Sequence, residues 1–319
     1  MSGKSSKILK ADGKAAREEK KRKWEAKQQE KELSVNRKRK REQWCEKHPE
    51  YTTFVTEDLI AQVLGNEKIH GVPSLLQPYI NLREGSQTSD DDSSAYFIAE
   101  GTETIRLLIR QSTENNPLKI HVNSIVVKPS VLFDEPVNLL QDLERIALKK
   151  DSNDGSHKTS RVPFHVFVAE DHIMSKLAGF QIARGALACG DVPHNRDAEW
   201  LMKYLLELRQ GDDSPQPIRL LAFDAISDTA NLGSMIRTAS AFGIAAVVLS
   251  HDCCDAWYRR SVRVSMGHIF RVPCIRVDDL AAFLNNLKKG PFGVISYAAV
   301  IDPASDLRLE TMEKGKKAM

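Results

Sequence analysis

From Tyr96 onward the chain alternates short, dense apolar runs with stretches whose apolar residues recur every three or four positions. That is the pattern of buried strands alternating with amphipathic helices. Tyr96-Phe97-Ile98-Ala99 predicts a strand, Thr102 to Arg110 a helix with Ile105, Leu108 and Ile109 on one face, and Ile120 to Val127 a second strand. A helix over Leu139 to Lys149, a polar loop over Lys150 to Ser160, a strand over Pro163 to Ala169 and a helix over Asp171 to Leu177 follow. The Gly-punctuated stretch Gly179 to Cys189 is expected to turn a strand toward the surface. Together these elements predict a small α/β domain over residues 95–197.

A helix over Ala198 to Gln210 and the Gly/Asp/Pro-rich hinge Gly211 to Pro217 fill residues 198–217 and lead into a third unit, 218–319. There Arg219 to Phe223, Ile244 to Leu249, Ile269 to Val272 and Phe292 to Tyr297 predict strands. Leu232 to Phe242 and Asp278 to Lys288 predict the helices between them. Strand, helix and strand in this order predict a right-handed crossover and a parallel sheet covered by helices.

The opening of the chain follows a different rule. Residues 14–43 are rich in Lys, Glu, Ala, Arg and Gln, all good helix formers, but Trp24, Leu33, Val35 and Trp44 define no continuous stripe. A solvated helical arm over 1–50 is the expectation. Its charge stands apart from the rest: the first fifty residues hold 17 Lys/Arg against 9 Asp/Glu, and the remaining 269 hold 29 against 34. Arg37-Lys38-Arg39-Lys40-Arg41 suits nucleic-acid phosphates or a nuclear address, and equally a solubilising helix end. Residues 51–94 are expected to hold one or two short helices followed by a mobile Ser/Asp-rich linker at 85–94.

Composition narrows the classes. A hydrophobic share of 41% suffices for a packed core, and 28% charged residues suit a soluble surface. The longest apolar run, Ala241 to Leu249, is about half of what a bilayer-spanning helix requires. The N-terminus carries Lys, Asp and Glu where a secretory signal has an apolar block, so the expectation is an intracellular protein without membrane partners. The glutamates of the arm favour nucleus or cytoplasm over an organelle. Five scattered cysteines without a C-x-x-C pair predict reduced thiols, with neither a disulfide scaffold nor a metal site.

Candidate chemistry lies between the strand at 219–223 and the helix after it, where open α/β sheets place ligands beyond the carboxyl ends of their strands. On a helical wheel Leu232, Met235, Ile236, Ala239 and Phe242 form one face, and Gly233 and Arg237 share another that points away from it. Arg237 is thereby free to meet an anion such as a phosphate. Asn231, near the helix start, suits a capping role, and Gly243 suits the helix C-terminus.

At these residues the sequence resembles the SpoU-type RNA 2'-O-ribose methyltransferases of the SPOUT superfamily. Asn231-Leu232-Gly233-Ser234-Met235-Ile236-Arg237-Thr238-Ala239-Ser240-Ala241-Phe242-Gly243 is similar to that family's first motif. Val262-Arg263-Val264-Ser265-Met266-Gly267 with Pro273 is similar to the segment that follows it. Tyr96 to Gly190 resembles the small ribosomal-protein-like RNA-binding domain that many members carry in front. The resemblance implies methyl transfer from S-adenosylmethionine to a ribose 2'-hydroxyl of rRNA or tRNA, by a trefoil-knotted domain that usually forms a homodimer. It implies catalytic roles for Arg237 and Asn231. Because a guanidinium stays protonated, Arg237 is better read as a clamp on the target phosphate than as a base.

Two further motifs of the family, a Gly-Asn-Glu-Gly-like loop and a Ser-Leu-Asn-containing segment, do not occur before Met319. The expectation is therefore an incomplete SPOUT domain that binds S-adenosylmethionine weakly or not at all, with its cofactor contacts beyond Met319. The alternative is an inactive RNA-binding protein that uses the 95–197 domain and the basic arm. A Rossmann-type dinucleotide enzyme is disfavoured because no G-x-G-x-x-G follows the strand at 219–223. Arg184, Arg259, Arg260, Arg263 and Ser265 are the RNA-contact candidates, the three clustered arginines suiting either a phosphate track or a solvated helix face. His268 is read as approaching RNA or as solvated. Cys253 and Cys254 beside His251 and Asp252 have poor geometry for a tetrahedral metal site.

Overall fold

The computed structural model describes residues 3–47, 51–65, 70–82, 96–113, 116–133, 139, 141–144, 164–193, 196–210, 217–291 and 293–299, with side chains in the first helix from residue 17 except 45 and 47. The expected linker at 85–94, the helix beyond residue 144, the loop at 150–160, the hinge at 211–216 and everything after residue 299 lie outside these residues.

One compact unit runs to Asp278. It contains a five-stranded mixed sheet of order β1-β4-β3-β5-β2, made of β1 (Thr52–Phe54), β2 (Tyr96–Glu100), β3 (His121–Val127), β4 (His165–Val168) and β5 (Ala186–Asp191). β1, β4 and β3 pair in parallel, and β5 runs antiparallel to both β3 and β2. Alternation of side chains explains the dense apolar runs, because both faces of the sheet are covered. Phe97, Ala99, Ile125, Val127 and Val166 face one core with α3 (Thr102–Thr113). Ile98, Val126, Phe167 and Leu187 face a second core with α2 (Glu57–Leu64) and α5 (Asp171–Ala178). A short helix α4 (Pro129–Phe133) lies between β3 and β4.

Here the structure differs from the expected boundaries. β1 and α2 come from the segment read as a lead-in to the linker, yet Thr52, Thr53 and Phe54 pair in register with Val166, Phe167 and Val168. The five-stranded sheet thus begins before the expected domain start at residue 95. Three residues are too few to show a periodicity of their own, so this strand is set by its partner.

The N-terminal helix α1 (Gly3–Lys47) also differs from a wholly solvated arm. Trp24 and Val35 are exposed, but Trp44 is buried and its indole Nε1 donates to Thr52 Oγ1 at 2.7 Å. Lys40 Nζ donates to the carbonyl of Phe133 at 2.8 Å, and the Arg41 guanidinium stacks 3.7 Å from the centre of the Phe54 ring. Two of the five residues of the basic run, Lys40 and Arg41, therefore anchor the helix end, one to α4 and one to β1.

After α6 (Ala198–Gln210) comes a three-stranded parallel sheet of order β6-β7-β8, formed by β6 (Leu220–Phe223), β7 (Ala246–Ser250) and β8 (Cys274–Val277). Helix α7 (Thr229–Ala241) joins β6 to β7, and α8 (Arg259–Val264) lies between β7 and β8. The strand expected over Ile269 to Val272 is instead a 3-10 turn, His268–Phe270, followed by β8. Gly267, at a φ of 82°, turns the chain, and Phe270 N bonds back to Gly267 O at 3.0 Å, so local bonds replace a ladder there. The sheet regains register only after Pro273, whose carbonyl accepts from Val247 N at 2.8 Å.

A second unit starts at Asp279. Its helix α9 (Leu280–Lys289) is capped by the Asp279 carboxylate, which accepts from Ala282 N at 2.8 Å. Residues 293–299 hold no strand, contrary to the strand expected at Phe292 to Tyr297; residue 292 lies outside the described residues. The left-handed backbone of Gly293, at a φ of 61°, breaks the extension that a strand needs, and Ile295 and Tyr297 are exposed.

His165 ties β4 to β1, with Nε2 2.8 Å from Thr53 Oγ1, and burial lowers its pKa to about 4. In the unfolded chain the imidazole titrates near its ordinary value, about 6.5. The unfolded state thus binds more protons between these values, and stability falls as pH drops through that window. The denaturant midpoint should decline from pH 6.5 toward 4, and more steeply in the wild type than in His165→Gln. Parallel pH profiles for the two proteins would contradict this.

Candidate active site

The carboxyl ends of β6 and β7 carry two loops that are bonded to each other. Ala225 N donates to Ser250 Oγ at 2.9 Å, Ile226 N approaches Cys253 Sγ at 3.4 Å, and Cys254 N donates to Ile226 O at 2.7 Å. Arg276, from β8, reaches across and donates to the carbonyls of Ser250, His251, Cys253 and Cys254 at 2.6–3.1 Å. Five N–H groups in a planar fork suit this convergence of acceptors. Cys253 turns inward, donating to Phe223 O at 3.3 Å, whereas His251 and Asp252 are exposed. These side chains do not converge on a common point, and among the described residues no group of three metal-ligating side chains comes together.

Helix α7 rises from the first of these loops. Its cap is Asp228, whose carboxylate accepts from Asn231 N at 2.7 Å; Asn231 itself is exposed in the first turn. Asn231 therefore does not cap the helix, which begins earlier than expected. Leu232, Ile236 and Ala239 enter the core, and Gly243, at a φ of 65°, closes the C-terminal end. Phe242, expected on the buried face, is 72% exposed, because the helix has ended at Ala241. It borders an open depression of about 470 Å³ whose lining includes Leu221, Ala239 and Ile244.

Gly233 also departs from the wheel. It is buried rather than turned away, since α8 lies directly over it: a Cβ there would stand 2.6 Å from Ser261 O and 3.1 Å from Val264 Cβ. Glycine is required by this close approach of two helices. Arg237, one turn later, is exposed. Asn231 and Arg237 stand about 9 Å apart along the axis and about 120° apart around it, from helix geometry, so they bracket a surface rather than share one face.

The remaining candidates fall into three groups. Arg259 and Arg263 on α8 both turn to the buried carboxylate of Glu100, at 3.8 and 3.5 Å. Arg259 further donates to Leu82 O at 3.1 Å and stacks 4.8 Å from the centre of the Phe180 ring. Burial works against its charge and Glu100 works for it. These two arginines thus hold the two sheets together, a role that neither the phosphate track nor the solvated helix face anticipated; Arg260 alone of the three is exposed. Ser265, expected to touch RNA, is completely buried, with Oγ donating to Val262 O at 2.8 Å inside the turn that ends α8. Arg184 is exposed and lies over Gly101, where a Cβ would meet its Cδ at 2.7 Å.

Sequence reasoning missed the counter-ion and a neighbour of Arg237. Glu100 gives no local signal, since its partners lie about 160 residues away in sequence. His268, read as approaching RNA or as solvated, is half-buried, with Nδ1 2.8 Å from Ser240 Oγ on α7. Burial, and then the charges of Arg271 and Arg237, lower its pKa.

Residues 219–318 match the SpoU rRNA Methylase family. An uncharacterized tRNA/rRNA methyltransferase of Mycobacterium tuberculosis is 33% identical over 129 residues, covering 40% of this chain and 40% of that protein. A 23S rRNA (guanosine-2'-O-)-methyltransferase of Acinetobacter baylyi is 36% identical over 128 residues, 40% of this chain and 49% of that one. The chain thus spans two-fifths to one-half of the length of these relatives. The crystal structure of an rRNA methyltransferase from Sinorhizobium meliloti aligns with a TM-score of 0.44 at 19% identity, covering 74% of this chain and 68% of that chain.

The contact at Gly233 can be tested directly. Gly233→Ala places a methyl against the Ser261 carbonyl and should lower stability by about 1–3 kcal/mol, the range for overpacking. Equilibrium denaturation that shows a gain, as expected of alanine in an open helix, would contradict the contact.

Proposed function

We propose that this chain, whose residues 219–318 match the SpoU rRNA Methylase family, acts in S-adenosylmethionine-dependent 2'-O-methylation of ribose in ribosomal or transfer RNA. The observation that carries the reading is the exposure of Arg237 on the helix after β6, within the matched residues and in the segment that resembles the family's first motif. Relatives named as tRNA/rRNA and 23S rRNA methyltransferases support RNA as substrate.

The described residues supply the RNA side of such a reaction. Arg237, permanently charged, holds a target phosphate and stabilises negative charge as the 2'-oxygen becomes a nucleophile. Asn231, displaced around the same helix, bounds the surface on which the ribose is oriented. Alignment is the main contribution required of the protein, because S-adenosylmethionine carries its methyl group on a sulfonium that is already electrophilic.

The donor side is another matter. At the carboxyl edge of the sheet, the amides of Ala225, Ile226 and Cys254 are engaged by Ser250 Oγ, Cys253 Sγ and the Ile226 carbonyl, and the carbonyls of Ser250, His251, Cys253 and Cys254 by Arg276. With their hydrogen-bonding capacity already taken up, these groups do not fit the donor as they stand.

Transfer of labelled methyl groups to rRNA and tRNA transcripts tests the reading. Arg237→Ala should reduce turnover by about 10²-fold or more, the scale of losing a charge-stabilising donor, with folding unchanged. Full turnover in Arg237→Ala would overturn the assignment.

A further inference from the structure

We propose that His268 and Arg271 complete, with Arg237, a receptor for one backbone phosphodiester of the RNA substrate. The inference rests on the RNA reading above but assigns residues outside the first motif, Asn231 to Gly243, that carries it.

Three observations converge. First, the geometry is built. Gly267, in the left-handed region at a φ of 82°, starts the turn that presents His268 to α7, and its ring Nδ1 is 2.8 Å from Ser240 Oγ. Ser240 follows Arg237 by three residues, so both lie on the same side of the helix. Arg271 N bonds back to His268 O at 3.0 Å, which closes the turn and sets Arg271 beside the imidazole. Second, the charge is unbalanced. The charged groups acting on His268 are Arg271 from its own turn and Arg237 from α7. The neighbouring segments from α3 onward contribute only neutral groups: Thr104 lies against Gly267, and Asn116 donates to Phe270 O at 2.9 Å. No carboxylate among the described residues acts on the ring. The contrast with α8 is direct, because there Glu100 answers two arginines. Third, access is open. Arg237 and Arg271 are exposed, and with Nδ1 engaged by Ser240, Nε2 has no partner among the described residues.

Two guanidiniums and an imidazole with a free nitrogen suit a phosphate, which accepts from all three and relieves their mutual repulsion. Binding draws a proton from solvent onto Nε2. His268 thus senses the anion, and the ring passes its position to α7 through Ser240.

NMR titration of the full chain, with His268 identified by the signal that His268→Gln removes, tests the receptor. A short single-stranded RNA should raise the His268 pKa by about one unit, which corresponds to about 1.4 kcal/mol of coupling. Arg271→Ala should abolish that shift, weaken RNA binding by about 5-fold to 10-fold and reduce the salt slope of log affinity by about one. RNA binding with an unmoved His268 would overturn the receptor alone. A response to inorganic phosphate but not to RNA would make it a small-anion site and overturn the RNA assignment. A wild-type chain that binds no RNA would overturn the receptor together with the function on which it rests.

Discussion

A buried carboxylate held between two helix-borne arginines is the constraint on which this structure depends. Glu100 ends β2 of the five-stranded sheet, is nearly inaccessible to solvent, and has its partners Arg259 and Arg263 on α8 of the parallel-sheet region. A charge taken out of water requires such compensation, and removal of one partner leaves the other uncompensated. Around the pair, Phe97 from β2 packs on Trp257 and Phe270, with ring centroids 5.2 Å apart in both contacts. Apolar burial therefore supplies the attraction, and the ion pairs fix which surfaces meet.

The consequence reaches the exposed face of α7. α8 is held by β2 on one side and presses on Gly233 of α7 on the other. Arg237 is therefore oriented with respect to both sheets. Under the proposed function, an RNA strand held by one region would meet a guanidinium at a fixed place on the other, without a search between independently moving parts.

Much of this was legible in the sequence where the physics is local. The strands at 96–100, 121–127, 165–168 and 246–250, and the half-buried strand at 220–223, announce themselves as apolar runs, and α3 and α7 by their spacing. What was not legible is what distant partners decide. β1 is a strand because β4 offers it a ladder, and Trp44 is buried because Thr52 and the sheet receive it. Arg259 and Arg263 look like a phosphate track until Glu100 is placed beside them. The apolar run at 269–272 is buried without being a strand, a distinction that hydrophobicity alone does not make. Ser265 sits in a matched motif, yet its hydroxyl closes a turn.

The claim that one seam makes a single body of the two sheets is tested most directly by native-state hydrogen exchange. Core amides of β2, β3 and β5 and those of β6, β7 and β8 should open with one shared free energy, and Glu100→Gln should lower both sets together. Exchange of the parallel-sheet amides at a lower opening free energy, with the five-stranded sheet still protected and unaffected by the substitution, would contradict it.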